Sequence, residues 1–198
     1  GHKKVINVAM EKYFPEVRIL GFLPTNKDII LPRRYLGLKQ VSECEDVDSF
    51  FNQAVNWLEK SVNINEIMSL SKSRRHTFEA QYDRVQIEPF GQRIAVAQDT
   101  AFSFFYKSVL QGWLEAGAEI IPFSPLGDYT PANDVDAIYL PGGYPELFAG
   151  ELAQNGFLDL LRVASNNGVA VFGECGGYMI LGKVIITNDG VRHKMAGL

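Results

Sequence analysis

The stretch from Val169 to Gly182 constrains this chain more than any other. Val169-Ala170-Val171-Phe172 is an apolar, β-branched run that stops at Gly173-Glu174-Cys175-Gly176-Gly177, and Tyr178 to Leu181 continue with helical spacing. A strand that turns into a helix around one reactive side chain is an elbow, here G-x-C-x-G with cysteine at the nucleophile position. The turn is sharp, so neighbours without a Cβ relieve the crowding, and Gly173, Gly176 and Gly177 fill that need. The apolar run is read as a strand buried on both faces, in the middle of a parallel sheet. A helix beginning just after the sulfur presents free N–H groups to it and favours the thiolate. The alternative is a structural cysteine at a strand end, a common setting for a free thiol.

The 106 residues from Arg93 to Leu198 have a regular pattern. Ile94-Ala95-Val96-Ala97 reads as a buried strand ending at Asp99, and Val109, Leu110, Trp113 and Leu114 mark a helix that Gly117 terminates. Glu119 to Phe123 and Ala137 to Leu140 are further strands. Leu147, Leu152, Leu158 and Leu161 outline one helix, stopped by Asn166-Asn167-Gly168, and the elbow strand follows. Strands alternating with helices predict right-handed βαβ units and a parallel sheet, whose sites lie beyond the carboxyl ends of the strands. Pro141-Gly142-Gly143 and Cys175 both fall on that edge. Ile185 to Arg192 reads as a hairpin around Asp189-Gly190.

The chain before Arg93 is different. Residues 3–12 predict a short amphipathic helix, Arg18 to Leu23 a β-type run closed by Pro24, and residues 29–38 an irregular segment. Acidic caps at Cys44 to Asp48 precede a helix carrying Phe50, Phe51, Val55, Trp57, Leu58 and Val62, with a resumption through Ile64 to Leu70. Cys44, just ahead of that helix, is read as structural. Residues 71–92 open polar and basic and show no sustained apolar period, so they are taken as a linker between 1–70 and 93–198. His76, inside it, is read as solvated.

Composition removes several functions. A net charge of −4 offers no basic patch for nucleic acid, and no apolar run approaches membrane-spanning length. Two cysteines, Cys44 and Cys175, cannot make a disulfide framework, and no His or Cys cluster suggests zinc, so no metal site is assigned. Reduced thiols fit a cytoplasmic protein.

A cysteine that attacks an amide builds a tetrahedral oxyanion, which needs N–H donors fixed in advance, one donor being typically worth ~3–4 kcal/mol of barrier. Gly142 and Gly143 can offer backbone N–H groups without side-chain obstruction, and Gly176, next after the nucleophile, is a second donor. Alone, Pro141-Gly142-Gly143 reads as a tight turn. With an elbow on the same sheet edge it reads as an oxyanion hole.

Three stretches together carry a family resemblance. Arg93 to Tyr106 (RIAVAQDTAFSFFY), Leu140 to Leu147 (LPGGYPEL) and Gly173 to Gly177 (GECGG) closely resemble the cobyrinic acid a,c-diamide synthase family, in particular its class I glutamine amidotransferase domain. Ile19 to Pro24, and Leu31 to Leu38, resemble the end of that family's ATP-dependent synthetase domain, and Met195 to Leu198 fit the strand after its hairpin. The resemblance implies an α/β fold: a flavodoxin-like, parallel-sheet glutaminase domain over 93–198, lacking its C-terminal part. The C-terminal remnant of a P-loop-type α/β synthetase domain would precede it.

By the same resemblance Cys175 is the glutaminase nucleophile; Gly142, Gly143 and Gly176 cradle glutamine and the oxyanion; and Tyr144 and Glu146 shape the pocket. Glutamine is the nitrogen donor. ATP and Mg2+ would activate the a and c acetates of a corrin-type tetrapyrrole in cobalamin biosynthesis, making the parent a cytoplasmic ligase. The macrocycle stays open between cobyrinic acid, hydrogenobyrinic acid and a nickel tetrapyrrole, as does homo-oligomer formation. No G-x-x-x-x-G-K-[ST] loop is present. The family's base histidine lies well after the elbow, and His193, the only histidine downstream of Cys175, sits too close to the hairpin to be expected in that role. The chain thus reads as an interior fragment, inactive alone. Two competing readings remain: another class I glutaminase or cysteine hydrolase on this fold, and a non-catalytic module with a structural cysteine.

Overall fold

The computed structural model describes residues 1–30, 41–44, 46–73, 87–127 and 134–198. The chain divides into two compact units, Gly1–Gln81 and Tyr82–Leu198.

The first unit is helical. Helices α1 (His2–Tyr13), α2 (Val47–Ser61) and α3 (Ile64–Ser73) follow the predicted periodicities, α3 running past Leu70. Their starts follow from side-chain capping. Asp46 accepts from the Ser49 amide at 2.9 Å. At α3, Asn63 Oδ1 accepts from the Glu66 backbone amide at 3.1 Å and caps the helix, while its Nδ2 donates to Glu66 Oε2 at 3.3 Å and holds the capping side chain in place. The β-type run at Arg18 to Leu23 does not become a strand. It makes one antiparallel bridge, Gly21 to Val62. The Phe22 amide donates to Ser61 at 3.1 Å and the Asn63 amide to Leu20 at 2.7 Å. A strand without a partner strand leaves its backbone groups to be satisfied otherwise, here by the α2–α3 junction. Most of the expected irregular segment 29–38 and of the expected linker 71–92, His76 included, lies outside the described residues.

The second unit is the expected α/β sheet. Strands β1 (Arg93–Ala97), β2 (Glu119–Phe123), β3 (Ala137–Leu140) and β4 (Ala170–Gly173) form one parallel sheet in the order β2-β1-β3-β4. Helix α4 (Lys107–Glu115) links β1 to β2. Strand β1 shows why the sheet has two covered faces: Ile94 and Val96 join one core with Leu110, Trp113 and Tyr139, whereas Ala95 and Ala97 join the other with Leu140, Leu152, Leu161 and Ile180. All four side chains are fully buried, as a parallel strand requires.

Between β3 and β4 the single expected helix is broken into three pieces: a 3-10 turn at Pro145–Phe148, α5 (Ala149–Leu152) and α6 (Phe157–Asn166). Gly156, at φ 77°, turns the chain between α5 and α6, and Asn155 Oδ1 accepts from the Phe157 amide at 3.1 Å. The apolar spacing survives because Leu152, Leu158 and Leu161 still reach one core.

Strand β4 corrects a second expectation. It pairs only with β3 and so lies at an edge of the described sheet, not in its middle. Val171 packs toward the α6 side, but Phe172 on the other face is 44% exposed. The helix on that face, α4, packs at the far end of the sheet over β2, which leaves the edge strand half covered.

After β4 comes α7 (Gly176–Leu181), then a hairpin of β5 (Val184–Ile186) and β6 (Arg192–Lys194). Asp189-Gly190 forms its turn, with Gly190 at φ 82°. The exposed Asp189 carboxyl accepts from Thr187 Oγ1 and from the Val191 amide, and these bonds, Thr187's first, hold it below the usual carboxylate range. The expected strand at Met195 to Leu198 is instead an extended cap. The amides of Met195, Ala196, Gly197 and Leu198 donate to the carbonyls of Lys183, Ile180, Gly182 and Leu181 at 2.8–3.0 Å; the last three satisfy carbonyls that α7's end leaves without helical partners.

Candidate active site

The strand order places a topological switch between β1 and β3: β1 connects outward to β2 and β3 outward to β4. Loops diverge there at the carboxyl edge, where α/β sheets hold their ligands. Three segments meet at this point. They are the loop after β1, the Pro141-Gly142-Gly143 turn after β3 and the elbow after β4.

Asp99 shapes the first segment. Its Oδ1 accepts from the amides of Ala101 and Phe102 at 2.8 and 3.2 Å, and its Oδ2 from Ser124 Oγ and the Leu126 amide at 3.0 and 2.9 Å. One carboxylate thereby ties the loop after β1 to the loop after β2. The chain then delivers Phe104, whose amide donates to the Gly142 carbonyl at 2.9 Å across the switch point. Phe104 also packs edge-on against Tyr144, ring centres 5.2 Å apart. Sequence reasoning treated Asp99 only as a strand end. The signal available was its place just after a buried strand, where Asp commonly bonds the backbone two residues on.

The glycine turn and the elbow are in direct contact. A Cβ on Gly142 would lie 3.5 Å from the Cys175 Cβ. At Gly143 it would fall 2.0 Å from the Ala101 carbonyl oxygen, and at Gly176 2.8 Å from the Gly143 carbonyl oxygen. Neither position can hold any other residue without moving backbone, so here the glycines are demanded by close approach. The structure therefore brings Gly142, Gly143, Gly176 and Cys175 together, with buried Tyr144 beside them and Glu146 two residues further, in the 3-10 turn.

Cys175 has φ 50° and ψ −115°, the one positive φ outside glycine among the described residues. That conformation is strained for a side chain with a Cβ and persists only where its surroundings impose it. Here the ladder of β3 and β4 continues one residue further through the Glu174 amide, which donates to Leu140 at 3.1 Å, and α7 starts at once as the Gly177 amide donates to Glu174 at 2.8 Å. Cys175 is exposed and Cys44 half-buried, and neither forms a disulfide. Gly176, the first residue of α7, has an N–H with no acceptor inside the helix.

His193 lies on β6 opposite Ile185, its ring 3.4 Å from where a Gly150 Cβ would be. Among the described residues no hydrogen bond joins it to Cys175. Sequence reasoning also missed Glu174, whose carboxylate accepts from the Tyr139 hydroxyl. Burial first, and then that bond, push the Tyr139 phenol well above its ordinary value. The signal was a charged residue between an apolar strand and a glycine pair. Among the described residues no cluster of three or more His, Cys, Asp or Glu could hold a metal, and no helix is long and apolar enough to cross a membrane.

Comparison with known proteins agrees with this geometry. The model of the CobB/CobQ-like glutamine amidotransferase domain matches residues 93–198. Hydrogenobyrinate a,c-diamide synthase of Brucella anthropi is 44% identical over 198 residues, all of this chain and 45% of that protein. The proteins of the same name from Sinorhizobium sp and Agrobacterium fabrum are 40% and 41% identical, again across the whole chain and 45% and 44% of their own length. The chain thus spans less than half the length of these curated relatives. It belongs to the CobB/CobQ-like glutamine amidotransferase family.

Proposed function

We propose that Cys175 is the nucleophile of a glutaminase site that supplies ammonia for amidating hydrogenobyrinate. The observation that carries the reading is the strained Cys175 at the strand–helix elbow, in contact with the Gly142-Gly143 turn. The thiolate attacks the side-chain amide carbon of glutamine. The oxyanion that forms lies against the N–H groups of Gly143 and Gly176; the amide nitrogen takes a proton from solvent water, and collapse breaks the C–N bond, expels ammonia and leaves a glutamyl thioester. Water then releases glutamate. Tyr144 and Phe104 form a wall of the pocket, and Glu146 lines it.

The choice of hydrogenobyrinate, with its a and c acetates as acceptors, rests on the names of the relatives. ATP and magnesium would supply the activation of those acetates in the longer protein. Among the described residues no group of three or more His, Cys, Asp or Glu could hold the magnesium. A cytoplasmic location belongs to the same proposal and is supported by two cysteines that form no disulfide.

The test is alkylation by a glutamine-mimicking chloroketone, read at each cysteine by mass spectrometry. Cys175 should label faster than Cys44 and in a saturable way, glutamine should protect it, and Cys175→Ser should remove the adduct. In the longer protein, nitrogen-15 from the glutamine amide should appear in the diamide product, and Cys175→Ser should abolish that transfer while free ammonia still serves. Labelling of Cys175 no faster than Cys44, or unaffected by glutamine, would leave the cysteine as a structural one.

A further inference from the structure

Tyr139 sits on β3, 4% exposed, inside a ring of aromatic side chains: Phe90, Trp113 and Phe172 have centroids 5.5–6.4 Å from its own. An apolar setting of this kind suits a phenylalanine, and a buried hydroxyl there is costly unless it is bonded. It is bonded to Glu174, on the neighbouring strand's extension. Phe172 pairs with Tyr139 in the register of the sheet, and Glu174, two residues on, falls on the same face by strand alternation. Glu174 is also the last residue before the elbow.

We propose that Tyr139 and Glu174 are a positioning pair for Cys175, an inference that rests on the nucleophile reading above. Three ties converge on Glu174: its amide to Leu140, its carbonyl to the Gly177 amide, and its side chain to Tyr139. The two backbone bonds fix where the peptide lies. They leave it free to rock about the line joining them, and the peptide that would rock is the one leading into Cys175. The side-chain tie to a rigid aromatic cluster removes that freedom. It also parks the carboxylate on the α4 side of the sheet, so that a negative charge one residue from the sulfur is occupied elsewhere. Neither residue touches the substrate in this scheme; both act through the orientation of Cys175.

The experiment is saturable labelling of Cys175 in the intact protein by the chloroketone, resolved into binding and inactivation constants, with Cys44 as internal reference and a melting curve for each variant. Tyr139→Phe keeps the ring and loses the bond, and should lower the inactivation constant ~10-fold with little change in binding, the size expected for a misaligned reacting group. Glu174→Ala should match it, and the double variant should add nothing. Glu174→Gln keeps an acceptor for the hydroxyl and should stay within ~2-fold of the parent, the hydrogen bond being what matters. The proposal is overturned if Tyr139→Phe and Glu174→Ala lower the melting temperature but label at the parent rate, or if Glu174→Gln is as slow as Glu174→Ala. Unsaturable labelling of the parent protein would remove the nucleophile reading and the pair with it, whereas normal parent labelling insensitive to Tyr139→Phe removes the pair alone.

Discussion

The two units use apolar residues in opposite ways. In the second, β1 buries Ile94, Ala95, Val96 and Ala97 completely, and each face of the sheet has its own core. In the first, helices α1 and α2 contain no buried residue, and Val5, Val8, Phe51, Val55 and Met68 are more than half exposed. Both have amphipathic patterns and, at α2 and α3, good caps. Local signals suffice to form a helix, but a core arises only where distant segments pair. β1 and β3 do so across more than forty residues of chain.

The contrast can be broken most directly by amide hydrogen exchange on the whole chain. Ala95, Val96 and Tyr139 should exchange ~10³-fold more slowly than residues in the middle of α1, since the sheet opens only with the unit while an uncovered helix opens alone. Equal protection in the two units would refute it.

Substitution by alanine sharpens the same point within the second unit. Gly143→Ala drives a Cβ into the Ala101 carbonyl and should cost about 3 kcal/mol, by overpacking against backbone that cannot yield. Gly112→Ala, in α4 with nothing within 4 Å of the new methyl, should raise stability by up to ~1 kcal/mol on helix propensity alone. Denaturant titration of the two variants should show opposite signs. A neutral Gly143→Ala would mean that the site turn is looser than its contacts indicate.

The smallest effect concerns alkaline pH. Tyr139's proton is held more tightly in the folded state, so its contribution is intact below the ordinary tyrosine pKa and is lost as pH rises beyond it. Between pH ~9 and ~11 the protein should lose more stability than Tyr139→Phe does, by melting temperature. Parallel curves would mean that the phenol ionises freely.

These tests follow the line between what the sequence disclosed and what it did not. The elbow, the glycine turn, the strand order along the chain and the helix caps were legible because each depends on residues close in sequence: G-E-C-G-G, P-G-G, Asp46 before α2. Three things were not. The break between α5 and α6 hides in a leucine spacing that one helix or two would satisfy equally. Strand β4's place at an edge depends on which strands flank it, which an apolar run cannot report. The Tyr139–Glu174 bond joins residues 35 apart, and nothing in either segment names the other.

Helix α7 has only six residues, too few to persist on its own, yet it begins immediately after Cys175. The extended segment from Met195 to Leu198 clasps its far end with three hydrogen bonds, to Ile180, Leu181 and Gly182, and that segment continues the β5–β6 hairpin. Cys175, helix, hairpin and the segment after it therefore make one closed loop of chain, fastened where it returns on itself. A pull or a proteolytic nick beyond the hairpin would unfasten the clasp and be felt at the sulfur.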